Sequence, residues 1–279
     1  MRFGIALGRL HPAYYEEMVL EAERLGFESV WLPEHLVLPV DMSGSPFAGA
    51  EHPPVPPSAP VTDCFGYLCY LAGKTSRVRL GTHVYLLGLR HPFVAARAIQ
   101  TLDQVSGGRA EIGIGAGWLE SEWRVTGLDP RTRGRRLDEA LAVCKRLWTE
   151  DVIEHRGEFY DFDAVMFEPK PVQKPHPPIL VGGDSEPALR RAARAGDGWV
   201  GLHYTPESCA GPIARLRELR ARYGRAGGAF EMACFGGVES RGDVARFEAA
   251  GITRLIVAPW DRSREALAGV RRFADRIFW

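Results

Sequence analysis

The chain is poor in lysine. Of its 35 basic side chains, only Lys74, Lys145, Lys170 and Lys174 are lysines, and 35 acidic residues bring the formal net charge to zero. No global field therefore draws the protein to nucleic acid or to an acidic lipid surface. The arginine bias needs no chemical explanation beyond the base composition of a gene. Cysteine is scarce as well: Cys64, Cys69, Cys144, Cys209 and Cys234 are odd in number, scattered, and form no CxxC pair. That excludes a disulfide framework and a zinc ribbon, and leaves most of them as reduced core residues. HExxH is absent, and no second histidine is spaced as a metal pair with His35, so no metal is expected. No run of about 18 apolar residues offers a membrane span. The opening "MRFGIALGRL" lacks the apolar stretch of a signal peptide, so a cytoplasmic location is expected.

What the chain does have is rhythm. Of its 279 residues, 46% are hydrophobic, enough for a sizeable core. Short runs rich in Val, Ile, Leu and Phe alternate with amphipathic helical patterns. Strands are predicted at 2–7, 28–33, 77–87, 110–115, 178–182, 198–202, 230–235 and 254–259. The helices between and after them run from Pro12 to Leu25, over 64–73 with Asp63 as cap, from Pro92 to Val105, and over 131–149, 185–195, 206–222, 241–250 and 263–276. Eight βα units in this length, without a linker, favour a single (β/α)8 TIM barrel of the α/β class over residues 1–279. A doubly wound sheet is the competing architecture. The continuous apolar strands suit parallel strands covered on both faces.

Two excursions break the rhythm. Residues 36–61, "LVLPVDMSGSPFAGAEHPPVPPSAPV", follow the second strand and are proline-rich, so they are placed to form a lid or a stiff surface loop. Residues 152–177 precede the fifth strand, and their alternation predicts a short hairpin packed at the other end of the barrel.

Function in such a barrel gathers where strands end. The fifth strand ends in "GGDS", with Gly182 and Gly183 turning into a helix that begins near Ser185. The free N–H groups and positive dipole end of that helix suit a phosphate. A tight turn capped by Ser185 reads equally well, and Asp184 argues against an anion unless its side chain turns away. The second strand ends in "PEH", where Glu34 and His35 could be acid/base groups, metal ligands or hydrogen-bonded loop residues. The fourth runs into "GIGAGWLESEW". The glycines at 113, 115 and 117 admit a close approach to the backbone, but Trp118 and the position in the chain rule out a dinucleotide fingerprint. Trp118 would wall an aromatic ligand or cover the barrel mouth, and Glu120, Ser121 and Glu122 read as solvated helix-start residues. His83 and His91, on "GTHVYLLGLRHP", are each more often structural than catalytic. His203, Tyr204 and Thr205 are polar groups near the sixth strand's end.

Taken in order, "GFESVWLPEH", "RVRLGTHVYLLGLRHPFVAARAIQTLDQVSGGRAEIGIGAGW", "RGRRLDEALAVCKRLW" and "PHPPILVGGDSEPALRRAARAGDGW" resemble the luciferase-like flavin and deazaflavin oxidoreductase superfamily over residues 1–202. The resemblance implies a barrel that binds coenzyme F420 or FMN, with the F420-dependent branch most similar. It implies the cofactor phosphate at Gly182 and Gly183, with Ser185 beside them. Glu34 would touch the ring, and His35 would serve as acid/base. The peptide His83–Val84, often cis in the superfamily, would back the ring, with Ala116 and Gly117 contacting it through the backbone. Trp118 and His203 would face the substrate. A homodimer is also implied.

Two positions depart from the pattern. Where the superfamily's sugar-phosphate dehydrogenases have a catalytic Glu, this chain has Trp118. Where they have a phosphate-binding Lys, it has Thr205. Sugar oxidation by that mechanism is thus not expected, and a small apolar organic substrate is. Alternatives to F420-dependent hydride transfer are an FMN-dependent monooxygenase and a non-catalytic cofactor-binding protein.

Overall fold

A computed structural model describes residues 1–42, 45 and 55–279. Eight parallel strands close into a barrel in the order β1 (Arg2–Ala6), β2 (Ser29–Leu32), β3 (Arg79–Tyr85), β4 (Ala110–Ile114), β7 (Ile179–Gly182), β8 (Gly198–Tyr204), β9 (Glu231–Gly236) and β10 (Arg254–Val257). The remaining two, β5 (Val152–Arg156) and β6 (Asp161–Met166), form the antiparallel hairpin predicted before the fifth barrel strand. Around the barrel run α1 (Tyr15–Leu25), α2 (Cys64–Ala72), α3 (Pro92–Val105), α4 (Glu120–Val125), α5 (Arg133–Thr149), α6 (Glu186–Ala195), α7 (Ala210–Arg222), α8 (Arg241–Ala250) and α9 (Ala266–Ile277). The expected (β/α)8 barrel is the fold.

Local chemistry sets the helix ends. The Asp63 carboxylate accepts from the Gly66 N–H at 2.6 Å at the start of α2. Gly26, at φ 91°, ends α1 in a left-handed turn that a Cβ would oppose. His91, one of the histidines read as structural, accepts from the Phe93 N–H at 3.2 Å and opens α3.

Three apolar clusters result among the described residues; the least, Leu86, Leu89 and Trp123, underlies α4, and the other two form the cores. The larger lies between barrel and helices and holds Met18, Ile99, Leu141, Phe247 and Phe273 among many others. The smaller fills the barrel itself with Trp31, Leu180, Val200, Ala233, Phe235 and Ile256. Its floor is charged. Arg254, fully buried, lies 3.1 Å from Glu28, 3.0 Å from Glu231 and 3.0 Å from Glu111. Along β10 and the residue after it, the inward positions thus pass from Arg254 through Ile256 to Ala258, with the period of two that strands impose. Four of the five cysteines are buried and all are free. No helix among the described residues is long and apolar enough to cross a membrane.

Two elements differ from the sequence reading, one through a local turn and one through tertiary contact, and a third reading lies largely outside the described residues. The helix expected at 206–222 begins at Ala210, because Thr205–Ser208 closes a turn in which the Thr205 N–H donates to Ser208 Oγ at 2.9 Å. The 152–177 hairpin does not stay at the far end of the barrel. Its Tyr160 hydroxyl donates to the Arg90 carbonyl at 3.4 Å and Phe162 packs on Phe93, 4.7 Å between centroids, at the mouth-side start of α3. Of the 36–61 excursion, residues 43–44 and 46–54 lie outside the described residues, and the lid reading falls largely on them.

Candidate active site

At the C-terminal ends of the strands, β3 and β8 each slip register against a neighbour: β3 against β4 between Thr82 and Tyr85, and β8 against β9 between Gly201 and Tyr204. Bulges of this kind re-aim side chains. The first carries His83 and Val84, joined by a cis peptide bond. The second carries His203, whose φ of 55° makes it the one non-glycine residue with positive φ among the described residues. Its ring meets Phe235 edge-on at 4.6 Å. Burial, with His203 nearby, pushes the His83 imidazole down to about 4. His203 is also lowered, by burial first and then by Arg9.

Val84 occupies the top of the barrel interior, packed on the inner core. A methyl group added at Gly115 would meet Val84 at 2.5 Å, and one at Gly182 would meet it at 2.7 Å. The approach to the backbone that the strand-four glycines were expected to admit is therefore made, at Gly115, by the chain's own Val84. Gly113 likewise faces the Thr82 carbonyl. Gly117, at φ 74°, turns the chain beyond Ala116 toward the half-buried Trp118.

The joint into α6 is a glycine turn with no side-chain cap, followed by Glu186 and Pro187 in the first turn. Gly183 takes φ 102°, and Ser185 stands at the N-cap with extended backbone but no side-chain cap hydrogen bond. Asp184 has turned aside: its carboxylate accepts from the Tyr204 hydroxyl at 2.9 Å on the adjacent strand. Trp199 donates its indole N–H to the Gly183 carbonyl at 2.8 Å and pins the turn.

Glu34 and His35 face different ways. Glu34, 5% exposed, accepts from the Leu86 N–H at 2.7 Å and from Arg90 at 2.5 Å. Burial pushes its carboxyl up, against the pull of Arg90 and that N–H. Its oxygens are thus committed beneath the 86–90 turn. The His35 Nδ1 lies 2.9 Å from Glu122, and its ring meets Trp118 edge-on at 6.0 Å.

Glu122 corrects the expectation of a solvated helix start. Its side chain is only 1% exposed, and it also accepts from the Leu36 N–H at 2.6 Å and the Val37 N–H at 3.3 Å. Sequence reasoning could have found it: Leu119 and Trp123, four apart and both buried, define the inward face of this turn, and Glu122 lies on it. A cleft of about 40 Å³ lies beside His35, lined also by Tyr15, Glu34 and Pro60–Thr62, so the returning leg of the excursion sits over the second strand's end.

The mouth thus gathers an uncapped helix N-terminus, a bulge filling the barrel centre, and a histidine oriented by a buried carboxylate. The family model described as luciferase-like monooxygenase matches residues 1–275. The chain belongs to this family. It is a luciferase-like oxidoreductase by descent, as the sequence resemblance implies.

An uncharacterised protein of Mycobacterium tuberculosis is 31% identical over 260 residues, 92% of this chain and 88% of that one. An F420-dependent glucose-6-phosphate dehydrogenase of Kineococcus radiotolerans is 36% identical over 193 residues, 68% of this chain and 52% of its own length. An FMNH2-dependent dimethylsulfone monooxygenase of Pseudomonas putida is 36% identical over 135 residues, 47% of this chain and 36% of its own. The luciferase-like relatives so named use one or other of the two cofactors that the resemblance implies. Among the described residues no group of three His, Cys, Asp or Glu side chains could hold a metal ion.

Proposed function

We propose that this luciferase-like protein is an F420-dependent oxidoreductase that transfers a hydride between the deazaflavin and a small, largely apolar organic substrate. The observation that carries the reading is the α6 joint. Gly183 at positive φ, Ser185 without a cap bond and an Asp184 turned onto Tyr204 leave a helix N-terminus free for the cofactor's phosphate. The longer similarity to an F420-dependent relative than to an FMNH2-dependent one favours F420.

When bound, the deazaflavin supplies a two-electron hydride donor or acceptor. The chain's own residues supply position and a proton. Val84, wedged at the centre of the mouth, and the Ala116–Gly117 backbone offer a flat support for a ring. Trp118, edge-on to His35, and His203 on the β8 bulge would face the substrate. The His35 Nε2 takes a proton from an alcohol oxygen as hydride leaves carbon, or returns one to an enone or imine as hydride arrives. With Trp118 and Thr205 at the positions named above, sugar phosphates are not the substrates this reading predicts.

The test is a parallel titration of the purified protein with F420 and FMN, followed by fluorescence quenching. F420 is expected to bind, and Gly183→Val to weaken it by about 10–100-fold, equivalent to about 1.4–2.8 kcal/mol. A preference for FMN would overturn the cofactor assignment in favour of the monooxygenase reading and make oxygen uptake the next assay. Binding of neither would remove the functional reading and leave the barrel.

A further inference from the structure

We propose that Glu122 is the positioning residue for His35: it holds Nδ1–H and so presents an unprotonated Nε2 to the mouth. This rests on the reading of His35 as the proton carrier and assigns the group that prepares it.

The geometry is specific. Glu122 reaches from α4 to the end of β2, and no arginine or lysine meets its buried carboxylate among the described residues. Its three donors are the Leu36 N–H at 2.6 Å, the Val37 N–H at 3.3 Å and His35 Nδ1 at 2.9 Å. A carboxylate that receives backbone N–H bonds is an acceptor, so the proton of this third bond belongs to Nδ1. The neutral ring has one N–H, and Nε2 is left with its lone pair on the side away from Glu122. The neighbouring carboxylate, Glu34, cannot substitute, because Arg90 and the Leu86 N–H occupy it.

Burying an anion without a cation is costly unless hydrogen bonds compensate. Two backbone donors hold the carboxylate whether or not His35 is charged, and the imidazolium formed when Nε2 takes a proton completes an ion pair. The same carboxylate also fixes the first residues after β2. The side chain and the chain that leaves beside it are thus oriented by one group.

The substitution Glu122→Gln separates orientation from packing. The amide oxygen can still accept from Leu36, which turns the amide NH2 toward Nδ1. That donor forces the ring into the opposite tautomer, with the proton on Nε2. The measurement is ¹⁵N-detected tautomer assignment of His35 in the cofactor-free protein at pH 8, with the exposed Glu120→Gln as control. Wild type and the control are expected to carry Nδ1–H, and Glu122→Gln to carry Nε2–H. Wild-type protein with Nε2–H overturns the proposal outright, and that observation needs no variant to fold.

Catalysis provides the second readout. Turnover in Glu122→Gln is expected to fall by about 10²–10⁴-fold, the range of a general acid–base contribution, with little change in KM. A switched tautomer with undiminished turnover would overturn the catalytic role of Glu122 alone. Undiminished turnover in His35→Ala would overturn the reading of His35 on which the proposal rests.

Discussion

The residues at the mouth owe their chemistry to how completely each is enclosed. His83, half-buried, shows how strongly its surroundings act on it. Its ring is pushed down to about 4 by burial and, secondarily, by the nearby His203. A histidine in the unfolded chain titrates near 6.5, so the folded state binds fewer protons than the unfolded state between those values. The sign follows: the stability linked to a neutral His83 is present above about pH 6.5 and is lost as pH falls toward 4. In a ring-proton NMR titration, His83 is expected to hold its shift from pH 8 to 5. Between pH 8 and 5, His83→Gln is expected to lose about 1–2 kcal/mol less stability than wild type in denaturant unfolding. A His83 ring that titrates near 6.5 would contradict the enclosure on which this rests. Glu34, one residue before His35, makes the complementary point: burial raises its carboxyl, yet it stays paired with Arg90. Adjacent residues in the chain thus differ in role because they differ in partners.

Elements translate sequence into site with uneven legibility. The eight strands and the main helices were readable because period-two and period-3.6 patterns are local properties of the chain. So were the Asp63 cap and the glycine turn into α6, since caps and glycine turns are written in a few consecutive residues, although Ser185 makes no cap bond. What the sequence concealed depends on residues far apart meeting. The glycines of β4 announced a close approach but not its author, and that author is Val84 on the β3 bulge. The burial of Glu122 could be read from Leu119 and Trp123 on the same face, but its partner His35 is 87 residues away, so its role could not. The bulge reading has its own test. Gly115→Ala puts a methyl 2.5 Å from Val84, a stiff β-branched side chain, and is expected to cost about 1–3 kcal/mol. Val84→Ala removes the obstructing methyls, so the double variant should be more stable than the sum of the two singles implies, by at least about 1 kcal/mol in urea unfolding. Strict additivity would show that Gly115 serves something other than the bulge.

At the scale of the whole molecule, the barrel separates two kinds of charge. The mouth holds His35 against Glu122 and Asp184 against Tyr204, each a pair at a strand end. The opposite end holds a charge-balanced cluster: Arg2, Arg79 and Arg254 against Glu28, Glu111 and Glu231, joining β1, β3, β4, β9, β10 and the residue before β2. Three cations balance three anions, with Arg254 fully buried at the centre. In barrels of this class the far end serves stability rather than chemistry. Arg254→Met should therefore destabilise strongly, by about 3–5 kcal/mol, because it leaves Glu111 and Glu231 buried without their main counter-ion. The loss should also depend on pH in a defined direction. Burial already raises the Glu231 carboxyl, opposed chiefly by Arg254. Without that arginine the carboxyl rises further, and a group whose folded value is raised loses stability as pH rises through it. The penalty in thermal or urea unfolding should thus be smaller at pH 5 than at pH 8. Cofactor affinity measured well below the melting temperature should be unchanged, since the mouth is built from other residues at the other end of the same strands. Weakened binding in a folded Arg254→Met protein would mean that the two ends are mechanically coupled through the barrel interior, with Trp31, 5.2 Å from the Arg254 guanidinium, as the contact to examine next.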